Sequence, residues 1–119
     1  MISNYLKARF RSIGHACRGV KVLLSTQPHA RLHAVATIGV LIAGKILHLR
    51  RWEWVAILLC IGMVWMAESL NTGLEFLADE ISRDHRDLIG KAKDIAAAGV
   101  LISAMISILV AVLVFKSHL

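Results

Sequence analysis

The sequence predicts an all-α integral membrane protein, with three transmembrane helices preceded by an amphipathic helix that lies at the interface. Three observations carry this. The 119 residues are 57% hydrophobic with a mean hydropathy of +0.66, too apolar for a soluble domain of one core. The apolar residues fall into three long runs. The basic residues that make the net charge +6 sit in short segments between those runs, where membrane orientation accounts for them better than nucleic-acid binding does.

The first element is a surface helix over 4–25. Leu6, Phe10, Ile13, Cys17, Val20 and Leu24 recur at steps of three and four, while Lys7, Arg9, Arg11, Arg18 and Lys21 take other positions. Such a helix rests in the interface plane, apolar side chains dipped toward the acyl region and basic groups among lipid phosphates. The first thirty residues contain no continuous apolar stretch of the kind a cleavable secretory signal needs. Ser25, Thr26 and Pro28 then end the helix and can start the next.

The first span is expected at about 31–49, with Lys45 able to snorkel from its far end. His48-Leu-Arg50-Arg51 turns the chain, and Trp52 and Trp54 read as interfacial anchors. The second helix is expected at 54–82. It is uncharged from Trp54 to Ala67 and polar along one face from Glu68 onward. The third, over about 88–115, is free of charge from Ile95 to Phe115 and is the clearest hydrophobic signal. The whole of 1–119 reads as one domain. Cys17 and Cys60 form no close pair and read as packing residues.

Ten Lys and Arg residues lie before the first span's interior or in the segment around 83–94, against four on the other side. By the positive-inside rule the N-terminal segment and that segment, read as a loop, face the cytoplasm.

Seven of the eight acidic residues fall between Glu68 and Asp94. Glu68, Asn71, Glu75 and Asp79 are spaced three, four and four, so on a helix they form one polar stripe. Glu68 lies ~21 Å along the helix from Trp54, near the cytoplasmic edge of a ~30 Å core. Ionisable groups at that depth mark a pathway or a reaction site more often than a simple interhelical pair. Glu80 reads as solvated. The segment Asp84-His85-Arg86-Asp87-Leu-Ile-Gly90-Lys91-Ala-Lys93-Asp94 sets mixed charge beside the stripe, which suits phosphate and a magnesium ion held by oxygen ligands. Gly90-Lys91 is not a P-loop, because the upstream glycine and the following Ser or Thr are missing. His29 and His33, four apart around Arg31, could share a metal, although a contact with a headgroup or lipid hydroxyl fits their place at the span entrance better.

Together Glu68-Ser-Leu-Asn71-Thr-Gly-Leu-Glu75, Asp79, His85 and Lys91-Ala-Lys93-Asp94-Ile-Ala-Ala-Ala-Gly-Val-Leu resemble the prokaryotic diacylglycerol kinase and undecaprenol kinase family. Phe10, Gly19 and Arg31-x-His33 extend the resemblance over nearly the whole chain.

The resemblance implies a homotrimer in the bacterial inner membrane, with a site at a subunit boundary where ATP and Mg²⁺ serve transfer of phosphate to a lipid alcohol. It makes Glu68 the catalytic base and Glu75 a magnesium ligand, with Asn71 and Asp79 supporting that helix face. Asp84, His85, Arg86, Lys93, Asp94 and Glu75 line the nucleotide site, and Arg31 and His33 lie near the lipid. Gln27 stands where family members commonly have a glutamate as the second metal contact, which removes one negative charge there.

Arg31-x-His33 favours undecaprenol as substrate, with diacylglycerol, converted to phosphatidic acid, as the alternative. A carboxylate stripe also suits a non-enzymatic oligomeric channel or a lipid-binding protein. Lys93 and Asp94 beside it would then have no purpose.

Overall fold

Pro28 sets the first corner of the chain. In the computed structural model, which describes all 119 residues, helix α1 runs Ile2–Thr26 and helix α2 runs Pro28–Ile46, with only Gln27 between them in extended conformation. The residue before a proline is pushed out of the helical region, and proline itself is well placed at a helix's first position. The Arg31 side chain then locks the corner. Its guanidinium donates to the carbonyls of Leu24 at 2.8 Å and Ser25 at 2.6 Å, satisfying the end of α1 with a positive charge where the helix dipole favours one.

The second corner is a Schellman turn. Leu49 N–H reaches Gly44 O at 3.1 Å and His48 N–H reaches Lys45 O at 3.3 Å. His48 takes the left-handed position, φ 52°, that glycine usually fills. Helix α3, Arg51–Ile81, follows at once. After a short loop, helix α4 runs Asp87–Lys116.

Helices α3 and α4 are the two that are long and apolar enough to cross a membrane. At ~1.5 Å per residue the 31-residue α3 is ~46 Å long, so it outreaches a ~30 Å hydrocarbon core and carries its polar end beyond it. Helix α2, of 19 residues, is shorter and has Arg31 and Lys45 toward its ends.

The principal packing seam joins α3 to α4; α2 meets α3 much less extensively, and α1 stands out from the bundle against α2. A small core of Leu49, Ile57 and Val114, flanked by Trp54, Ile61 and Phe115, closes the end remote from the acidic stripe. There Trp54 lies over Gly44, and its ring occupies the space a side chain on Gly44 would need. Trp52, at the start of α3, remains exposed.

Only 12 of the 119 residues are buried, so the single chain makes little interior of its own. Its apolar faces require lipid or other protein around them, as expected for a membrane protein.

Candidate active site

The polar stripe of α3 begins with a carboxylate that is almost wholly covered. Glu68 is 3% exposed, and the basic group within ion-pair distance of it is His33 of α2, whose Nε2 stands 3.6 Å from Glu68 Oε2. Burying a carboxylate without a partner is costly, above all where lipid replaces water.

One turn along the same interface, Trp65 Nε1–H donates to Thr37 Oγ1 at 3.0 Å, and Thr37 in turn donates to the His33 carbonyl at 2.7 Å. These cross-helix contacts share one antiparallel register of α2 and α3.

Below Glu68 the stripe is less satisfied. Asn71 is half-buried and its Oδ1 has no hydrogen-bond partner, as has the hydroxyl of Thr72, a buried residue. Buried polar atoms are seldom left so, and unpaired ones are candidate ligand contacts. Glu75 is half-buried and free of ion pairs and hydrogen bonds within the chain, while Glu80 is exposed.

Asp79 binds Lys93 Nζ at 2.7 Å, which ties the stripe to α4. Lys91, Lys93 and Asp94 stand on the first two turns of α4, inside the helix expected over about 88–115, so the loop read around 83–94 is confined to its first residues. Asp87 occupies the first turn, where the helix dipole favours a negative charge, and pairs with Lys91 at 3.1 Å, so the helix starts earlier than its apolar run.

Asp84, His85 and Arg86 are exposed in the connection; Asp84 N–H rests on Ser82 Oγ at 3.2 Å, and the His85 ring lies beside Gly90. Asp94 is exposed without an ion pair. Gln27 is half-buried at the α1–α2 corner, with Nε2 3.3 Å from Thr26 Oγ1 and its backbone carbonyl accepting from Arg31 N–H. Arg31 is committed to the end of α1.

No three His, Cys, Asp or Glu side chains of the chain converge on one point.

Two clefts open between α1 and the bundle on the side of Ser69. One, of about 380 Å³, is lined by Gly19, Leu23, Thr72, Gly73 and Phe76 among others. The second, of about 560 Å³, runs between α1, α2 and α3 past Leu24, Thr37, Ile38 and Trp65. Both are mostly apolar, the character a hydrocarbon chain requires. Periodicity flagged neither Thr72, Thr37 nor Trp65. A polar residue inside an apolar helical run was the available signal for the threonines.

A buried carboxylate whose helix neighbours Trp65, Ser69 and Thr72 line apolar clefts, and a lysine from a second helix bound at the far end of the same polar stripe, define a membrane protein built for polar chemistry at the end of a hydrocarbon chain. Comparison with known proteins agrees. The family model Prokaryotic diacylglycerol kinase matches residues 14–115. The chain is 38% identical over 116 residues to the undecaprenol kinase of Bacillus subtilis (strain 168), covering 98% of this chain and 94% of that one. It is 32% identical over 100 residues to a diacylglycerol kinase of Synechocystis sp., covering 83% and 57% respectively. With the diacylglycerol kinase of Escherichia coli (strain K12) it shares 23% over 108 residues, covering 91% and 88%.

The chain belongs to the prokaryotic diacylglycerol kinase family, and it is a lipid kinase.

Proposed function

We propose that this lipid kinase transfers the γ-phosphoryl group of ATP to the primary hydroxyl of a membrane lipid at the cytoplasmic face of the bacterial inner membrane, with undecaprenol favoured over diacylglycerol. The observation that carries the reading is Glu68, a covered carboxylate whose helix neighbours Trp65, Ser69 and Thr72 line apolar clefts and whose polar stripe runs on to the Asp79–Lys93 pair.

In the transfer, the lipid hydroxyl gives its proton to the Glu68 carboxylate as its oxygen bonds to the γ-phosphorus. The bond from that phosphorus to the bridging oxygen breaks in line, and ADP leaves with the electron pair. Lys93 exchanges its contact with Asp79 for the phosphate oxygens and offsets the charge they develop. Asp84, His85, Arg86 and Asp94 surround the nucleotide, and Asn71 presents its unpaired amide oxygen to the same space.

Glu75 and Gln27 would hold Mg²⁺. Glu75 has no partner in the chain, and the hydrogen bond of the Gln27 side chain uses its nitrogen, leaving the oxygen for a ligand. One carboxylate and one amide oxygen fit an ion that keeps water and phosphate oxygens as its other ligands. When bound, it supplies charge neutralisation at the phosphates.

The lean toward undecaprenol rests on Arg31-x-His33 and on 38% identity across nearly the whole chain to a protein described as an undecaprenol kinase. The excess of Lys and Arg around the site end supports a cytoplasmic N-terminus, with α2 as the third crossing and α1 on the surface. The uncovered apolar faces of the bundle leave room for neighbouring copies in a homotrimer.

The deciding experiment is transfer of labelled phosphate from ATP by purified protein in bilayers, with undecaprenol and diacylglycerol assayed side by side while magnesium is titrated. Labelled lipid phosphate, formed faster from undecaprenol, is the expected result. No product from either lipid would overturn the reading, and faster product from diacylglycerol would reverse the substrate order. Chemical cross-linking in the same bilayers is expected to stop at the trimer.

A further inference from the structure

The geometry points to His33 as the positioning residue of Glu68, a role that rests on the reading of Glu68 as the group that takes the lipid proton. Glu68 receives no hydrogen bond from its own helix, and what stands opposite its carboxylate is the His33 ring, Nε2 to Oε2 3.6 Å. That distance is beyond a hydrogen bond but within ion-pair reach, and catalytic contacts often tighten only when substrate is bound. The ring has two torsions and a fixed reach, so it restricts where the carboxylate can point.

The place of His33 is itself prescribed. Thr37, one turn further along α2, donates to the His33 carbonyl at 2.7 Å and accepts the Trp65 indole N–H at 3.0 Å. Trp65 in turn precedes Glu68 by one turn of α3. The two contacts form a closed ladder: Trp65 and Glu68 on one helix, Thr37 and His33 on the other. Because α2 packs on α3 far less extensively than α4 does, this ladder supplies much of the registration between them at the site end.

A lipid contact alone would not require the ring to face Glu68, and a bare structural pair would not need its depth set by a separate indole bond. A base must lie within hydrogen-bond reach of the proton it takes, and a displacement of ~1 Å can cost ~10²-fold in rate.

The test compares His33→Ala, His33→Asn and His33→Gln in the full chain in bilayers, with turnover and lipid KM measured separately. Glutamine carries its nitrogen about as far as Nε2, whereas asparagine stops near Nδ1. Alanine and asparagine are expected to lower kcat by at least about tenfold, up to ~10²-fold, with lipid KM nearly unchanged, and glutamine to keep most of the turnover. In a Glu68→Gln background, His33→Ala is expected to remove little further activity.

A raised lipid KM at unchanged kcat would reduce His33 to a lipid contact. An undiminished loss in the Glu68→Gln background would show that it acts independently of Glu68. Glu68→Gln with full turnover would remove both this role and the base assignment, whereas an inactive Glu68→Gln beside a fully active His33→Asn would remove the role of His33 alone.

Discussion

Lys93 Nζ lies 2.7 Å from Asp79 Oδ1, joining the first turns of α4 to the last turns of α3 across 14 residues of sequence. The pair stands at the edge of the bundle, partly open to water, where ion pairs contribute little to stability. Its value is in holding an amine beside the acidic stripe. Lys93→Met is expected to leave the protein folded and to lower kcat by ~10²- to 10³-fold, the usual loss when one donor to developing negative charge is removed. Asp79→Asn should have a smaller effect on kcat, because the amine remains. Steady-state transfer of labelled phosphate checks both.

Glu68→Gln keeps the size of the side chain and removes its capacity as a base. Turnover should fall ~10²- to 10⁴-fold, with normal expression and unchanged oligomeric size in detergent. Wild-type turnover in the purified variant would end the assignment.

Gln27→Glu returns a negative charge to the proposed metal contact. Half-maximal activity should be reached at a lower magnesium concentration than in the wild type, and Glu75→Gln should shift it the other way. A chelator should abolish turnover in all forms, and added magnesium should restore it.

Glu53 is 1% exposed and joins the start of α3 to the residues that follow α4 at the end remote from the site. Its Oε2 accepts Arg50 N–H at 2.8 Å and lies 2.8 Å from His118 Nε2, while Ser117 Oγ is 3.4 Å from Oε1. Glu53→Ala and His118→Ala should each lower the thermal midpoint of the purified protein by a few degrees while preserving turnover per folded molecule. Loss of activity without loss of stability would contradict a purely structural clasp.

Gly44 has no room for a larger side chain. A Cβ there would stand 2.8 Å from Trp54 Cη2 and 2.9 Å from Leu49 Cδ1. Gly44→Val should destabilise the chain by about 1–3 kcal/mol, read as a lower midpoint in denaturant titration from detergent.

The amino-acid order by itself determined what is local: four helices divided at Pro28, at the turn after Lys45 and at the charged stretch after Ile81, and a stripe of Glu68, Asn71, Glu75 and Asp79 on one face. Those features depend on backbone preference and on a 3.6-residue period, both properties of neighbouring residues. Tertiary structure alone decided the partnerships: His33 with Glu68, Thr37 with Trp65, Arg31 with the end of α1, and Glu53 with His118 across 65 positions. Each needs the rotation and axial register of one helix against another, and periodicity names the facing side of a helix without saying which residue opposite will meet it.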